Sequence, residues 1–222
     1  MLNGLTFEFA MLQLINMDIT NPDIERYLFG LCPQEPEFIR RMEEQARKDN
    51  FPIVDRLVGR LLMLMARMKD PSLVVELGSG FGYSAYWFAR GMRRGRVVLT
   101  DRDADNLKKA RSMMDEAGLL GRAEFMEGDA MESAGSFCDI DILFIDMDKQ
   151  SYLKAVKTFE PCLAPGGLVI ADNTLWYGKV LTGEDDNARA IMEFNDYMFS
   201  HPGFDCSLVP LRDGVLVAMK KS

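Results

Sequence analysis

From residue 72 onward, short apolar runs alternate with amphipathic stretches, and this rhythm sets the class of fold. Leu73–Leu77, Val97–Thr100, Ile140–Ile145 and Leu168–Ala171 are brief runs dominated by β-branched and large apolar residues, and Ala123–Glu127 is a fifth strand candidate that carries two glutamates. Runs of this kind read as strands buried on both faces of a parallel sheet. Helical patterns fall between them at Ser84–Met92, Ala104–Ala117 and Ser151–Cys162. Strand–helix alternation implies right-handed crossovers and a parallel sheet. The end of the chain breaks the pattern. Phe204–Pro210 and Val215–Met219 are separated only by Leu211-Arg212-Asp213-Gly214. Asp-Gly between two apolar runs signals a hairpin, so the last strand is expected to run antiparallel to its neighbour. His201-Pro202 marks a helix end just before that hairpin.

Three helical stretches precede the sheet. Asn21-Pro22 supplies a capping side chain followed by proline at the first helical position. Glu35–Lys48 forms the second stretch and Val54–Met68 the third, with Leu57, Leu61, Leu62, Leu64 and Met65 as an apolar face. The pattern predicts one domain over residues 1–222, with N-terminal helices over 1–70 and an α/β core over 71–222.

Composition narrows the chemistry. The 222 residues suffice for one well-buried α/β domain. A net charge of -8, from 34 acidic against 26 basic residues, repels nucleic acid and anionic membranes at long range. No run is long and apolar enough to span a bilayer. Met1–Ile19 lacks the basic start of a signal peptide, Arg26 being the first positive charge, which points to the cytoplasm. The four cysteines, Cys32, Cys138, Cys162 and Cys206, form no Cys-x-x-Cys pair and read as reduced thiols. With His201 the only histidine, acid–base work falls to carboxylates, lysine or tyrosine, and a bound metal would need oxygen ligands.

The candidate chemistry collects at the strand ends. Glu76-Leu77-Gly78-Ser79-Gly80-Phe81-Gly82-Tyr83-Ser84 follows the first strand and opens a helix, where α/β sheets bind cofactors. Alternate glycines allow a tight turn and close approach of a ligand. Tyr83 stands where a dinucleotide fold wants a third glycine, and Glu76 suits a cationic ligand better than a pyrophosphate. Asp101 ends the next strand, about 20 residues on, where a carboxylate can hold a ribose diol. These features favour S-adenosylmethionine (SAM) over NAD. A parallel sheet closed by a C-terminal hairpin likewise fits a Rossmann-like SAM-methyltransferase fold rather than a dehydrogenase. Asp146-Met147-Asp148-Lys149 and Asp172-Asn173-Thr174-Leu175-Trp176 end two neighbouring strands on the same edge. Asp146, Asp172 and the amide oxygen of Asn173 offer three hard oxygen ligands, suited to Mg²⁺, Mn²⁺ or Ca²⁺. Turn-forming Asp and Asn also cap strand ends without any metal.

These segments, with Tyr152 and Leu211-Arg212-Asp213-Gly214, resemble the cation-dependent O-methyltransferases, the family of the caffeoyl-CoA and catechol enzymes. The likeness runs from about Tyr27 to the C-terminus. Residues 1–16 fall outside it, and Met17 reads as an alternative start. The resemblance implies that Asp146, Asp172 and Asn173 hold a divalent cation, with Mg²⁺ first in line. It implies that Glu76, Gly78, Ser79, Ser84, Asp101, Ala130 and Asp148 contact SAM, with Asp129 a further candidate for the adenine amine. Lys149 takes the place of the catalytic base, working beside Asp146. Two departures stand out. Val58-Gly59-Arg60 replaces a Glu-Gly-Gln found in many members, and Tyr177 stands where plant enzymes have asparagine.

The expected reaction is methyl transfer from SAM to a hydroxyl of a vicinal dihydroxy-aromatic small molecule. Lys149 would take the proton, unless it is only a solvated helix-start lysine. Trp176 and Tyr177 would wall a planar acceptor, although Trp176 could equally pack into the core. A rival enzyme reading puts the same apparatus on hydroxyuridine in tRNA. A reading of another class is a SAM-binding module without catalysis. A homodimer is expected from the apolar N-terminal helices and the family's habit.

Overall fold

In the computed structural model, the described residues are 19–133 and 137–221. Residues 1–16 and the alternative start at Met17 lie outside them. Three helices lead in: α1 (Pro22–Leu31), α2 (Glu37–Asp49) and α3 (Arg56–Lys69). The core follows as β1 (Leu73–Leu77), α4 (Tyr83–Gly91), β2 (Arg96–Asp101), α5 (Ala104–Glu116), β3 (Ala123–Glu127), a one-turn α6 (Ala130–Ser133) and β4 (Ile140–Ile145). It closes with α7 (Tyr152–Phe159), β5 (Leu163–Ala171), α8 (Asp186–Ser200), β6 (Phe204–Val209) and β7 (Val215–Lys220).

The seven strands lie in the order β3-β2-β1-β4-β5-β7-β6. β1 to β5 are mutually parallel, and β7 runs antiparallel to both β5 and β6. The mostly parallel sheet with a C-terminal hairpin is therefore as expected. Adjacent strands β1 and β4 diverge to helices on opposite faces, which opens a crevice at their carboxyl ends. One face packs Val58, Leu62, Trp87, Phe88 and Phe144 from the lead-in helices, α4 and the sheet. The other packs Leu143, Tyr152, Phe159, Ile191 and Phe194 from β4, α7 and α8.

Local chemistry explains the shifted boundaries. Asn21 does cap α1, its side chain accepting from the Asp23 amide at 2.8 Å. α2 starts at Glu37 rather than Glu35 because Pro36 takes the cap position in extended geometry. α3 starts at Arg56 because Asp55 caps it, accepting from the Val58 amide at 2.8 Å. The last turn of the Ser151–Cys162 prediction is a 3₁₀ turn, Glu160–Cys162, with Pro161 at its start. β5 begins earlier than Leu168, at Leu163, across an irregular register opposite Ile140 and Ile142. α8, sensed only through its end at His201, runs for 15 residues with Asp185 as cap.

Candidate functional site

The carboxyl ends of β1, β4 and β5 open onto a cavity of about 420 Å³. The β1–α4 turn forms its floor. Gly78 has φ 88°, and a Cβ there would meet the Asp146 carbonyl oxygen at 2.3 Å, so only glycine lets this turn nest against the end of β4. Ser79 joins the turn to β2: its amide donates to the Thr100 carbonyl at 2.9 Å, and its hydroxyl accepts from the Thr100 amide at 3.0 Å.

Under this floor Glu76 is fully buried. Its Oε1 accepts from the Ser84 hydroxyl, and Oε2 has no hydrogen-bond partner among the described residues. Burial, reinforced by the carboxylates of Asp146 and Asp101, pushes this acid up to about 8, against hydrogen bonds from Ser84 and Ser79. A carboxylate so short of positive charge fits a cationic ligand. Asp101 lines the cavity beside the turn, with Oδ2 accepting from the Gly80 amide at 2.9 Å and Oδ1 from the Asp103 amide at 2.8 Å.

The β4 and β5 ends form the opposite wall. Lys149 is buried, and its Nζ donates to Tyr152 Oη at 2.7 Å and to Asp146 Oδ1 at 3.1 Å. The Tyr152 hydroxyl donates onward to the Asp172 carbonyl at 3.1 Å, which fixes the ammonium at the cavity wall. Lys149 is thus no solvated surface lysine. Asp172 is completely buried, and its Oδ1 lacks a partner among the described residues. Burial raises its pKa, the Asp146 charge adds to the rise, and Arg212 and Lys149 pull the other way. Asn173 follows at φ 58° and lines the cavity.

The β6–β7 turn pins the loop that carries this wall. The amides of Thr174 and Leu175 donate to the carbonyls of Gly214 and Asp213 at 3.0 and 2.9 Å, and the Tyr177 amide donates to Asp213 Oδ1. Trp176 and Tyr177 take positive φ values of 45° and 53° and stand 5.6 Å apart on the cavity wall. Trp176 donates from Nε1 to Asp185 Oδ1 at 3.2 Å and is only partly buried, so it is not a core residue.

Gly78, Ser79, Ser84, Asp101, Asp146, Asp148, Lys149, Asn173, Trp176 and Tyr177 all line the cavity, with Glu76 and Asp172 buried behind it. Asp129 and Ala130, at the end of β3, are not among its lining residues: Asp129 pairs with Arg102, and Ala130 is buried. Arg60 of the variant Val58-Gly59-Arg60 segment donates to the buried Glu35 at 2.8 Å, while Gly59 lies under the Trp87 indole, so this segment does not reach the cavity. Sequence reasoning missed the Phe51–Val54 loop, Tyr83, Asn187 and Arg212 as lining residues. Arg212 was in view within Leu211–Gly214, but nothing local signalled where its side chain goes.

Among the described residues no group of three His, Cys, Asp or Glu side chains is placed to hold a metal ion. The candidate set is two carboxylates and an amide. The unpartnered, buried Oδ1 of Asp172 beside Asp146 is the feature that fits a small hard cation.

Comparisons with known proteins identify the family and the fold. The O-methyltransferase family profile matches residues 32–221. Caffeoyl-CoA O-methyltransferase 2 of Petunia hybrida is 26% identical, over 87% of each chain. A methyltransferase crystal structure from Geobacter sulfurreducens is 38% identical, covers 91% of this chain and 99% of its own, and superimposes with a TM-score of 0.81. An O-methyltransferase from Bacillus cereus, solved in complex with SAH, shares the fold at 24% identity and a TM-score of 0.81, covering 90% of this chain and 97% of its own.

Proposed function

The chain belongs to the O-methyltransferase family, and from that premise we propose that it moves a methyl group from SAM to a hydroxyl of a catechol-like, vicinal dihydroxy-aromatic molecule with the help of a divalent cation. The observation that carries the cation is Asp172: a carboxylate with an unpartnered oxygen, buried just behind the cavity wall and close enough to Asp146 to feel its charge. The Bacillus cereus relative with bound SAH supports the choice of methyl donor.

When bound, SAM supplies the methyl group, and Mg²⁺ or Mn²⁺ supplies charge that eases ionisation of the acceptor hydroxyl. Glu76 and the β1–α4 turn bind the cationic end of the donor, and Asp101 receives its ribose diol. Asp146, Asp172 and Asn173 hold the cation through oxygen. Lys149 would take the hydroxyl proton at Nζ once it has released its own, with Tyr152 and Asp146 fixing its direction. The transfer would form a methyl–oxygen bond on the acceptor and break the donor's carbon–sulfur bond, releasing a neutral thioether. Trp176 and Tyr177 orient the planar ring, so alignment supplies part of the rate. We place Asp148 beside the donor; Asp129 and Ala130 would reach its adenine only from outside the cavity's present lining.

The same reading makes the protein a cytoplasmic homodimer. Its four cysteines are free thiols, and no helix among the described residues is long and apolar enough to cross a membrane. Ile24, Tyr27 and Leu31 are exposed along one side of α1 and offer a contact for a second copy. Light scattering giving a monomer at micromolar concentration would remove the dimer. The function itself is tested by SAM-dependent methyl transfer to catechols, hydroxycinnamoyl thioesters and hypomodified tRNA, with and without EDTA. Turnover of catechols that EDTA stops supports the reading. Full activity with EDTA, or turnover of tRNA alone, overturns it.

A further inference from the structure

Among the described residues, Arg212 is the one cavity-lining cation besides Lys149. Its backbone sits at φ 51°, a conformation that favours glycine, so an arginine here is held against a local preference. Its side chain crosses to β5, and Nη1 donates to Asp172 Oδ2 at 3.0 Å. Lys149 stands in the same relation to Asp146, at 3.1 Å. Both carboxylates that would hold a divalent ion therefore already face a side-chain cation. A guanidinium cannot shed its proton to make way, so it must either share Asp172 with an ion or withdraw. Withdrawal has somewhere to go. Arg212 also lines a second cavity of about 460 Å³, and the carboxylate of Asp55, on that side, stabilises the guanidinium charge as well.

We propose that Arg212 is a built-in competitor for the divalent cation at Asp172, occupying the carboxylate in the ion-free protein and withdrawing toward Asp55 as the ion enters. This rests on the metal-dependent reading above. The consequence is a weakened and gated cation site: Arg212 neutralises the buried Asp172 whenever the ion is absent, and it sets how much free cation the protein needs. Because the same side chain lines the cavity, ion entry also reshapes the space inside it.

The test is Mn²⁺ binding to metal-stripped protein, followed by electron paramagnetic resonance of the free ion and by calorimetry, without SAM or acceptor. Arg212→Gly suits the φ of this position and is expected to fold. It should bind Mn²⁺ at least about tenfold more tightly than the parent. Its Tm without metal should fall, because Asp172 is left buried and uncompensated, and Mn²⁺ should raise that Tm more than it raises the parent's. Arg212→Gln carries the same expectation if the glycine variant is too unstable to measure. Adding Asp172→Asn to either variant should abolish the gain. Unchanged or weaker Mn²⁺ affinity in a folded Arg212 variant overturns the competitor role and leaves the metal site standing. Failure of parent and variants alike to bind Mn²⁺ overturns both.

Discussion

The two halves of the cavity handle buried negative charge in opposite ways. On the β1 side, Glu76 meets neutral donors only, the hydroxyls of Ser84 and Ser79, and keeps one oxygen without a partner. On the β4–β5 side, Asp146 and Asp172 face Lys149 and Arg212. A carboxylate held by neutral hydroxyls stays short of positive charge until a ligand brings it. A carboxylate paired with a side-chain cation is stable alone, and a ligand must share it or displace the partner. The first half stays short of positive charge until a cationic ligand arrives; the second is charge-paired without one. Desolvation makes either arrangement costly if its cation is removed.

The largest effect should come from the β5 end. Asp172→Ala removes the unpartnered oxygen and is expected to lower methyl transfer by at least about 10³-fold, a loss comparable to removing a main electrostatic stabiliser. SAM affinity by calorimetry should change little, because Asp172 lies behind the β5 wall and not in the glycine turn. An active Asp172→Ala enzyme would show that the two halves do not divide their work in this way. Next comes Lys149→Ala, which should lower the rate by about 10²-fold or more, within the range of a lost general base. Mn²⁺ binding should persist, since the proposed ligands are the oxygens of Asp146, Asp172 and Asn173. Loss of Mn²⁺ binding in that variant would recast Lys149 as a support for Asp146.

How much of this was legible depends on whether a residue's neighbours lie along the chain or across it. β1, β2 and β4 announce themselves as short apolar runs because both faces of the sheet are covered there, whereas β3, at the sheet edge, is only partly buried. Asp101, Asp146, Asp172 and Asn173 were readable because each ends such a run, and strand ends of a parallel sheet share one edge. α8 was sensed only at its end, although Asp185 caps it and Ala188, Ile191, Phe194 and Met198 form its buried side. Arg212 was not legible. Its partner Asp172 is brought to it by the antiparallel register that sets Ala171 opposite Leu216, a relation no local pattern encodes. The destination of Arg60 was hidden in the same way, because Glu35 lies in a different element.

Glu76→Gln should have a smaller effect than either variant on the other side, and one with a sign of its own. It keeps the shape but loses the negative charge, so SAM and SAH should bind about tenfold more weakly, as for one charge-assisted hydrogen bond. The ligand-free protein should respond in the opposite direction. Glu76 has an ordinary carboxyl pKa of 4.5 when unfolded and about 8 in the fold. Between those values the unfolded chain gives up a proton that the folded protein retains. Stability therefore falls as pH rises through that window, by up to about 1.4 kcal/mol per pH unit from this group. Urea melts at pH 5 and pH 8 should show the fall in the parent and a flatter profile in Glu76→Gln. A parallel fall in both would mean that the buried acid is not its source.

The smallest effect on the cofactor should come from Arg60, which sharpens the comparison by standing outside both halves. Val58-Gly59-Arg60 stands where many members of the family have Glu-Gly-Gln, a change that implies one contact near the cofactor missing or replaced. Instead Arg60 shares the buried Glu35 with Arg90, at the lead-in helices and away from the cavity lining. Two arginines on one carboxylate give that tie some redundancy. Arg60→Gln should therefore destabilise the fold by about 1–2 kcal/mol, the worth of a hydrogen bond to a charged group, with Arg90 still holding Glu35. SAM affinity should stay within about twofold of the parent, inside the scatter expected for distant, independent sites. Denaturant melts measure the first quantity and calorimetry the second. A large loss of SAM affinity with unchanged stability would place the segment at the cofactor after all, and would mean that the β1 half of the site extends further toward α3 than the cavity does.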